Sequence, residues 1–136
     1  MELTVRKLSN ADYDSILVGW WLDWGMTPPD RSFLPECGAG GVIVFDGETP
    51  VCAGFMYATN SGIAWVDWVI TNKQYRGAGG RREAIDLLVA SLTETAKLAG
   101  YMYVYTLFKN RHLVDYFSRA GYAQGGSYTG EMIKSF

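Results

Sequence analysis

The residues best suited to chemistry form a glycine-rich, basic segment. Residues 77–80 read Gly-Ala-Gly-Gly, between a candidate strand ending at Thr71 and a candidate helix starting near Gly80. Glycines let a ligand approach the backbone, and a helix N-terminus offers free N–H groups and a favourable dipole to an anion. Positive charge is added by Arg76, Arg81 and Arg82. The segment predicts an anion site; the simpler alternative is a flexible turn before a helix.

Two common nucleotide-binding patterns do not fit this segment. The pattern Gly-x-Gly-x-x-Gly would need a third glycine where Arg82 stands, and the Gly-Lys-Ser/Thr ending of a phosphate loop is absent. A diphosphate held by backbone amides, with arginines beside it, stays compatible with the sequence.

Asp67 is a carboxylate in the middle of an otherwise apolar candidate strand, between Val66 and Trp68. A carboxylate in such a position can have a shifted pKa and act as a general base. The alternative is an ordinary exposed residue on an alternating strand. We therefore treat Asp67 as a candidate catalytic residue.

Cysteine and histidine add little chemistry. Cys37 and Cys52 are too few for a disulfide framework or a four-ligand zinc site, and His112 is the single histidine. Cys52 is typical of a small core residue and His112 of a surface residue. No metal site is predicted.

Composition sets the class of protein. The chain has 136 residues, of which 49% are hydrophobic and 19% charged, which predicts one folded domain over residues 1–136 and excludes global disorder. The net charge of −2 argues against nucleic acid as a partner. No apolar run reaches the ~18 residues of a membrane span, and the charged N-terminus does not resemble a signal peptide. We expect a cytoplasmic protein with no membrane partner.

Hydrophobic periodicity and turn residues predict the element order β-α-β-β-β-α-β-α-β, an α/β layout with a mixed sheet. The predicted strands cover residues 3–8, 42–45, 51–58, 63–71, 101–108 and 128–133. The predicted helices are one capped by Ser9 or Asn10 and running through Trp24, one over 80–99 and a short one before Gly121. The fifth strand is apolar on both faces and is expected to be central. Two of the three tryptophans Trp20, Trp21 and Trp24 are expected in the core. The third is expected beside a substrate site, with residues 26–41 forming its wall.

The chain resembles the GCN5-related N-acetyltransferase (GNAT) family. The family's coenzyme A loop reads Gln/Arg-x-x-Gly-x-Gly/Ala, which Gln74 to Gly79 match; a register starting at Arg76 would instead end on Arg81. Family members often carry Asn, then Gly eleven residues on, then an aromatic residue, as in Asn110, Gly121 and Tyr122. The element order matches over the whole chain and is also similar to compact acetyltransferase-like proteins of tailed phages. The resemblance implies an α/β (α+β) fold with a mixed, mostly antiparallel sheet of about six strands and three to four flanking helices.

The resemblance also implies an activity, namely acetyl transfer from the co-substrate acetyl-CoA to an amine by direct attack, without a metal. Asp67 matches a frequent family position for the base. The residues implied in binding acetyl-CoA are Val69, Thr71, Gln74, Arg76, Gly77, Ala78, Gly79, Gly80, Arg81, Arg82 and Asn110. Many family members carry a tyrosine seven residues after the Asn; here that position is Phe117, so Tyr116 is the best available acid, with water as the default donor.

Three readings of function stay open. The first is the N-acetyltransferase, with an amine-bearing small molecule or protein as acceptor and a homodimer as one assembly. The second is a catalytically weak or inactive GNAT-like fold that binds coenzyme A or serves as a structural or regulatory partner. The third is an RNA-binding module, suggested by the aromatic strand Tyr101 to Tyr105 and opposed by the low isoelectric point.

Overall fold

The computed structural model describes residues 1–77, 79–109, 111–126, 128 and 130–136. Its strands are β1 (Leu3–Lys7), β2 (Gly41–Asp46), β3 (Thr49–Tyr57), β4 (Ile63–Thr71) and β5 (Tyr103–Tyr105). Its helices are α1 (Val18–Asp23), α2 (Gly80–Leu98) and α3 (His112–Arg119). A π-helical turn, Tyr13–Leu17, leads into α1, and two 3-10 turns cover Arg31–Phe33 and Pro35–Gly38.

The strands form one sheet in the order β1-β2-β3-β4-β5. The pairs from β1 to β4 are antiparallel, whereas β4 and β5 are parallel. The β2–β3 hairpin turns at Gly47, whose φ of 60° is accessible to glycine at little cost. The mixed, mostly antiparallel sheet implied by the resemblance is confirmed.

Alternation along the strands gives the sheet two apolar faces. On one face, Val44, Cys52 and Val66 pack against α2, which contributes Leu88 and Leu92. On the other face, the buried residues gather around α1 and its preceding turn, and comprise Leu17, Trp20, Trp21, Ile43, Ala53, Phe55 and Ile70. The prediction that two of the three tryptophans belong to the core is confirmed by Trp20 and Trp21.

The single helix predicted from a cap at Ser9 or Asn10 through Trp24 is instead a π-helical turn, Tyr13–Leu17, followed by α1 over Val18–Asp23. Before it, the buried carboxylate of Asp12 accepts hydrogen bonds of 2.7 and 2.9 Å from the Arg6 guanidinium and one of 2.7 Å from the Ser9 amide. The hydrogen bonds from Arg6 are the main reason that the pKa of Asp12 lies below its ordinary value. This ion pair fixes the start of the helical segment against β1.

The second half of the chain departs most from the sequence prediction. The central position predicted for the fifth strand is wrong, because β5 is three residues long and lies at the edge of the sheet in the described residues. The predicted last strand is not formed by the described residues of that segment, Tyr128 and 130–133. Met132 and Ile133 are exposed, so the segment has no buried face to favour strand pairing.

None of the helices in the described parts of the chain is long and apolar enough to cross a membrane.

Candidate functional site

Strands β4 and β5 part after three residue pairs. Ile63, Ala64 and Trp65 pair with Tyr103, Val104 and Tyr105. Strand β4 then continues to Thr71, so residues 66–71 have no partner strand on their β5 side in the described part of the chain. An unpaired strand edge presents backbone N–H and C=O groups that can bind an extended ligand.

A β-bulge in β4 lies beside this parting. Phe55 pairs with Asp67 and Ala53 with Ile70, so three steps on β4 oppose two steps on β3. The extra residue falls near Trp68, whose φ of 57° is unusual for a side chain of that size. Bulges change the direction of side chains and are frequent next to active sites. Because paired residues share a face, Asp67 lies on the same side of the sheet as Phe55, towards α1.

The carboxylate of Asp67 is half-buried and fixed by two donors. The backbone amide of Trp68 donates a 2.7 Å hydrogen bond to Oδ1, and the indole Nε1 of Trp65 donates one of 3.3 Å to Oδ2. Burial raises the pKa of Asp67 above its ordinary value, and these two hydrogen bonds oppose that rise. The carboxylate therefore accepts a proton more readily than an exposed aspartate does, as a general base requires.

The glycine segment 77–80 follows β4 by a short turn, and two of its glycines are needed by packing. A Cβ at Gly77 or Gly80 would overlap the hydroxyl of Tyr75. Gly79 differs, because its φ is 70° and a Cβ there would meet nothing within 4 Å. The open surface of the segment is therefore at Gly79, directly before α2. Ala78, also predicted to bind the co-substrate, lies outside the described residues.

The first turn of α2 follows Gly79. Among the described residues, the Gly80 amide donates to Gly77 O at 3.2 Å, and the Glu83 amide donates to Gly79 O at 3.4 Å. The amides of Arg81 and Arg82 lie between these two, in the first turn, where a helix does not supply its own acceptors. Anions bind at such positions.

The predicted arginines divide into two groups. The Arg81 guanidinium donates hydrogen bonds of 2.8 to 3.2 Å to the carbonyl oxygens of Asn72, Lys73 and Tyr75, so it holds the turn after β4. Its Nε is buried and has no hydrogen-bond partner among the described residues. Arg76 and Arg82 are exposed on either side of Gly79. The Arg76 guanidinium also donates to this turn, at 3.0 Å to the Lys73 carbonyl and 3.4 Å to the Tyr75 carbonyl, but unlike Arg81 it keeps its charge exposed to solvent.

Three other predicted binding residues are placed around the end of β4. The side chain of Val69 packs on the α2 side of the sheet. The carbonyl of Thr71 accepts a 2.9 Å hydrogen bond from the indole of Trp24, and the Gln74 side chain donates one of 3.3 Å to Asp23. Trp24 also lies 5.1 Å from the Lys73 amine, so this third tryptophan covers the end of β4.

On α3, Phe117 is buried between Phe108 and Tyr122, with both ring centroids 4.9 Å away. Tyr116 is half-buried and has the Arg119 guanidinium 4.8 Å above its ring. Its role as the acid stays a prediction. Asn110 lies outside the described residues.

Aromatic rings pack on Trp65 and Trp68, the two residues that donate to Asp67, and the sequence analysis did not identify them as a group. Trp65 and Tyr105 have centroids 4.9 Å apart, and the hydroxyls of Tyr105 and Tyr128 are 3.2 Å apart. Phe33 packs edge-on against Trp68 at 5.9 Å. The one available signal was that Trp65 and Asp67 are two residues apart on a strand and so share a face.

Two cavities lie elsewhere. One of about 310 Å³ is enclosed by β5, α3 and residues 122–126, and one of about 400 Å³ lies between α2, residues 101–104 and residues 120–123. Neither is lined by described residues of β4 or of the glycine segment, but Tyr128 lines the first cavity as well as contacting Tyr105. In the described residues, no cluster of His, Cys, Asp or Glu could hold a metal ion.

Comparison with known proteins supports the fold. No protein-family model and no curated protein matches the sequence. Solved structures do match. Glucosamine-6-phosphate N-acetyltransferase from Arabidopsis thaliana has a TM-score of 0.69 at 12% identity, covering 98% of this chain and 100% of that chain. A GNAT family acetyltransferase from Staphylococcus aureus has a TM-score of 0.64 at 15% identity, covering 98% and 100%.

N-acetylglutamate synthase from Neisseria gonorrhoeae, in complex with coenzyme A and L-arginine, has a TM-score of 0.70 at 13% identity. That match covers 92% of this chain and 28% of the synthase chain. At such identities the similarities show the fold, which is that of the GNAT acetyltransferases.

Proposed function

We propose that the protein is an N-acetyltransferase that transfers the acetyl group of acetyl-CoA to an amine. The observation that carries the proposal is the parting of β4 from β5 at a half-buried carboxylate, Asp67, with the N-terminus of α2 following the same strand. One continuous segment, residues 63–82, thus offers a free strand edge, a base and an anion site. The fold shared with solved acetyltransferases supports the same conclusion.

The residues present fit coenzyme A. Its pantetheine arm is an extended chain with amide groups, which suits the unpaired edge of residues 66–71. Its diphosphate suits the open surface at Gly79 and the first-turn amides of Arg81 and Arg82. The exposed side chains of Arg76 and Arg82 add positive charge beside these amides. The Arg81 side chain leaves this position open, because its guanidinium donates to the Asn72 carbonyl at the end of β4.

The chemistry assigned to the chain begins with the acceptor. An ammonium group with an ordinary pKa of ~10.4 must lose a proton before it can attack, and Asp67 accepts that proton, directly or through a water molecule. Bound acetyl-CoA supplies the activated acetyl group. The nitrogen lone pair forms the N–C bond, and the C–S bond breaks with its electron pair on sulfur. The thiolate takes a proton from water or from Tyr116, and the second proton that the nitrogen releases on becoming a neutral amide restores this donor through water. In this proposal, backbone amides on the free edge of β4 would polarise the carbonyl.

The decisive experiment combines a calorimetric titration with acetyl-CoA and a thiol-release assay over a panel of amines. We expect saturable binding and release of free thiol that depends on an amine. Binding without turnover for any amine would overturn catalysis and favour the alternative of a coenzyme A-binding protein. Absence of binding at millimolar acetyl-CoA would overturn the proposal altogether.

A further inference from the structure

The carboxylate of Asp67 is set among aromatic side chains that come from several segments of the chain. Trp65 donates to it directly, and Tyr105 packs against Trp65 from β5. Tyr57, which pairs with Trp65 in the sheet, donates a 2.8 Å hydrogen bond from its hydroxyl to the carbonyl of Phe33. Trp65 lies on the face of the sheet that carries Asp67, because the two alternate on β4, and Tyr57 and Tyr105 share that face because each pairs with Trp65.

The rings of this cluster are accessible at two places. Phe33 is 47% exposed in its 3-10 turn, and Tyr128, whose hydroxyl is 3.2 Å from that of Tyr105, is 71% exposed. Exposed aromatic surface is therefore present next to Trp68 and Tyr105, which pack beside the residues that donate to Asp67. Ring faces attract cations and also bury apolar groups.

The charged side chains near Asp67 favour the binding of a positively charged ligand. Lys109 forms an ion pair of 3.3 Å with Glu131, and both are near enough to affect the pKa of Asp67 in opposite directions. Arg31, the cation next to Phe33, is directed to the Asn10 carbonyl at 2.9 Å and lies over the ring of Tyr13. With Lys109 already paired, the carboxylate of Asp67 gives the site a net negative charge.

We infer that the acceptor is a small primary amine attached to an aryl or other apolar group, with no acidic group of its own. This inference rests on the proposed acetyl transfer and specifies its substrate class. The ammonium group would lie at Asp67 against Trp65, and the apolar group would contact Tyr105, Phe33 and Tyr128. A carboxylate or phosphate on the acceptor would meet the carboxylates of Asp67 and Glu131, and Lys109, the cation whose charge acts on Asp67, is already paired with Glu131.

The test compares acceptors in the thiol-release assay. We expect kcat/KM for 2-phenylethylamine to exceed that for ethanolamine, glutamate, glucosamine 6-phosphate and a lysine-containing peptide by at least about tenfold, since aromatic contacts and charge both favour it. A reversed order for any of these acceptors would overturn the inference and leave acetyl transfer in place.

A variant pair tests the rings. Tyr105→Leu should raise KM for 2-phenylethylamine by about 3- to 30-fold while kcat and acetyl-CoA affinity stay unchanged. Tyr103→Leu is the matched control, because it is an exposed tyrosine on the same strand, two residues farther from Asp67, and it should leave KM unchanged. Should Tyr105→Leu unfold the protein, Phe33→Leu replaces it, because the bond from Tyr57 goes to the Phe33 backbone. An unchanged KM in a folded ring variant would contradict the inference.

A measurement without acetyl-CoA separates the two possible failures. Addition of 2-phenylethylamine alone should shift the indole N–H resonance of Trp65, identified by its absence in Trp65→Phe. A shift without turnover for any amine would support the amine site and refute acetyl transfer. No shift at saturating amine would refute the amine site, whatever the result with acetyl-CoA.

Discussion

The hydroxyl of Tyr75 donates a 2.7 Å hydrogen bond to Oδ2 of Asp46 and occupies the space in which side chains at positions 77 and 80 would lie. Asp46 ends β2 and also accepts a hydrogen bond from the Glu2 amide. The hydrogen bond from Tyr75 therefore connects the glycine segment to the β2–β3 hairpin. Glycine is required at positions 77 and 80 because the Tyr75 hydroxyl fills the space that a side chain would need, whereas the surface at Gly79 is open.

The first prediction concerns stability at the start of α2. Gly80→Ala should destabilise the fold by about 1–3 kcal/mol, because the new methyl group overlaps a buried tyrosine that cannot move without losing its bond to Asp46. Gly19→Ala is the matched control, since Gly19 is also helical but has nothing within 4 Å, and it should stabilise by roughly 0.5–1 kcal/mol. Urea unfolding of both variants measures the difference; equal stabilisation would contradict the packing argument.

The second prediction concerns the anion site. Gly79→Asp should weaken acetyl-CoA binding by at least about tenfold, because it places a carboxylate at the open surface before α2. Gly47→Asp is its control: Gly47 has a φ of 60°, close to the 70° of Gly79, and equally open surroundings, but lies in the β2–β3 hairpin. Both variants should lose similar stability, and only the first should lose affinity in calorimetry. Equal affinities would remove the site from residues 79–82.

The third prediction concerns the stability contributed by Asp67. Its pKa is raised in the folded state, chiefly by burial, so the folded state binds the proton more tightly than the unfolded state. The stability associated with that proton is fully present below the ordinary pKa of 3.8 and is lost as pH rises through the folded pKa. Asp67→Asn, which stays neutral, should therefore gain stability relative to the natural chain as pH rises from 3.5 to 7.

The measurement is urea unfolding of both proteins over that pH range, with the exposed carboxylate of Glu48 replaced in Glu48→Gln as a control. In activity, Asp67→Asn should lower kcat/KM and lose the acidic limb of the pH–rate profile, with little change in acetyl-CoA affinity. A stability difference that does not vary with pH would contradict the burial argument. Retained turnover across pH would show that the base lies elsewhere.

The sequence predicted the parts of the fold that depend on local patterns. The bounds of β4 and α2, and the hairpin at Gly47, follow from alternation, helical spacing and turn residues, all of which act over a few positions. The fifth strand was misplaced because Tyr101, Tyr103 and Tyr105 count as apolar, although their hydroxyls reach polar partners or solvent. Tyr101, for example, accepts a hydrogen bond from the Thr59 amide.

The site was predicted only in outline. Asp67 and Gly79 could be identified from residue type and position. The bulge at Trp68 depends on how β3 and β4 align, and the packing of Tyr75 beneath the glycines depends on a hairpin some thirty residues earlier. The rings of Phe33 and Tyr128 reach the site from opposite ends of the chain, so no local pattern connects them with Asp67.

The last prediction concerns the proton that the departing thiolate takes up. Tyr116→Phe should lower turnover by about two- to tenfold, because a thiol with an ordinary pKa of ~8.5 leaves tolerably without an acid and water can replace the tyrosine. Tyr103→Phe, an exposed hydroxyl on β5, is the control and should leave turnover unchanged. Full activity in Tyr116→Phe would leave water as the donor.

The variant Phe117→Tyr tests whether a tyrosine at position 117, rather than Tyr116, could give a proton to the thiolate. The ring of Phe117 is buried between Phe108 and Tyr122, so an added hydroxyl would be placed in an apolar environment. It should cost about 1–3 kcal/mol of stability and should not raise turnover. Kinetics at a temperature where both proteins are folded, together with unfolding in urea, would test this. A rise in turnover would instead show that position 117 reaches the sulfur, and that the natural chain works without the acid that a tyrosine there would supply.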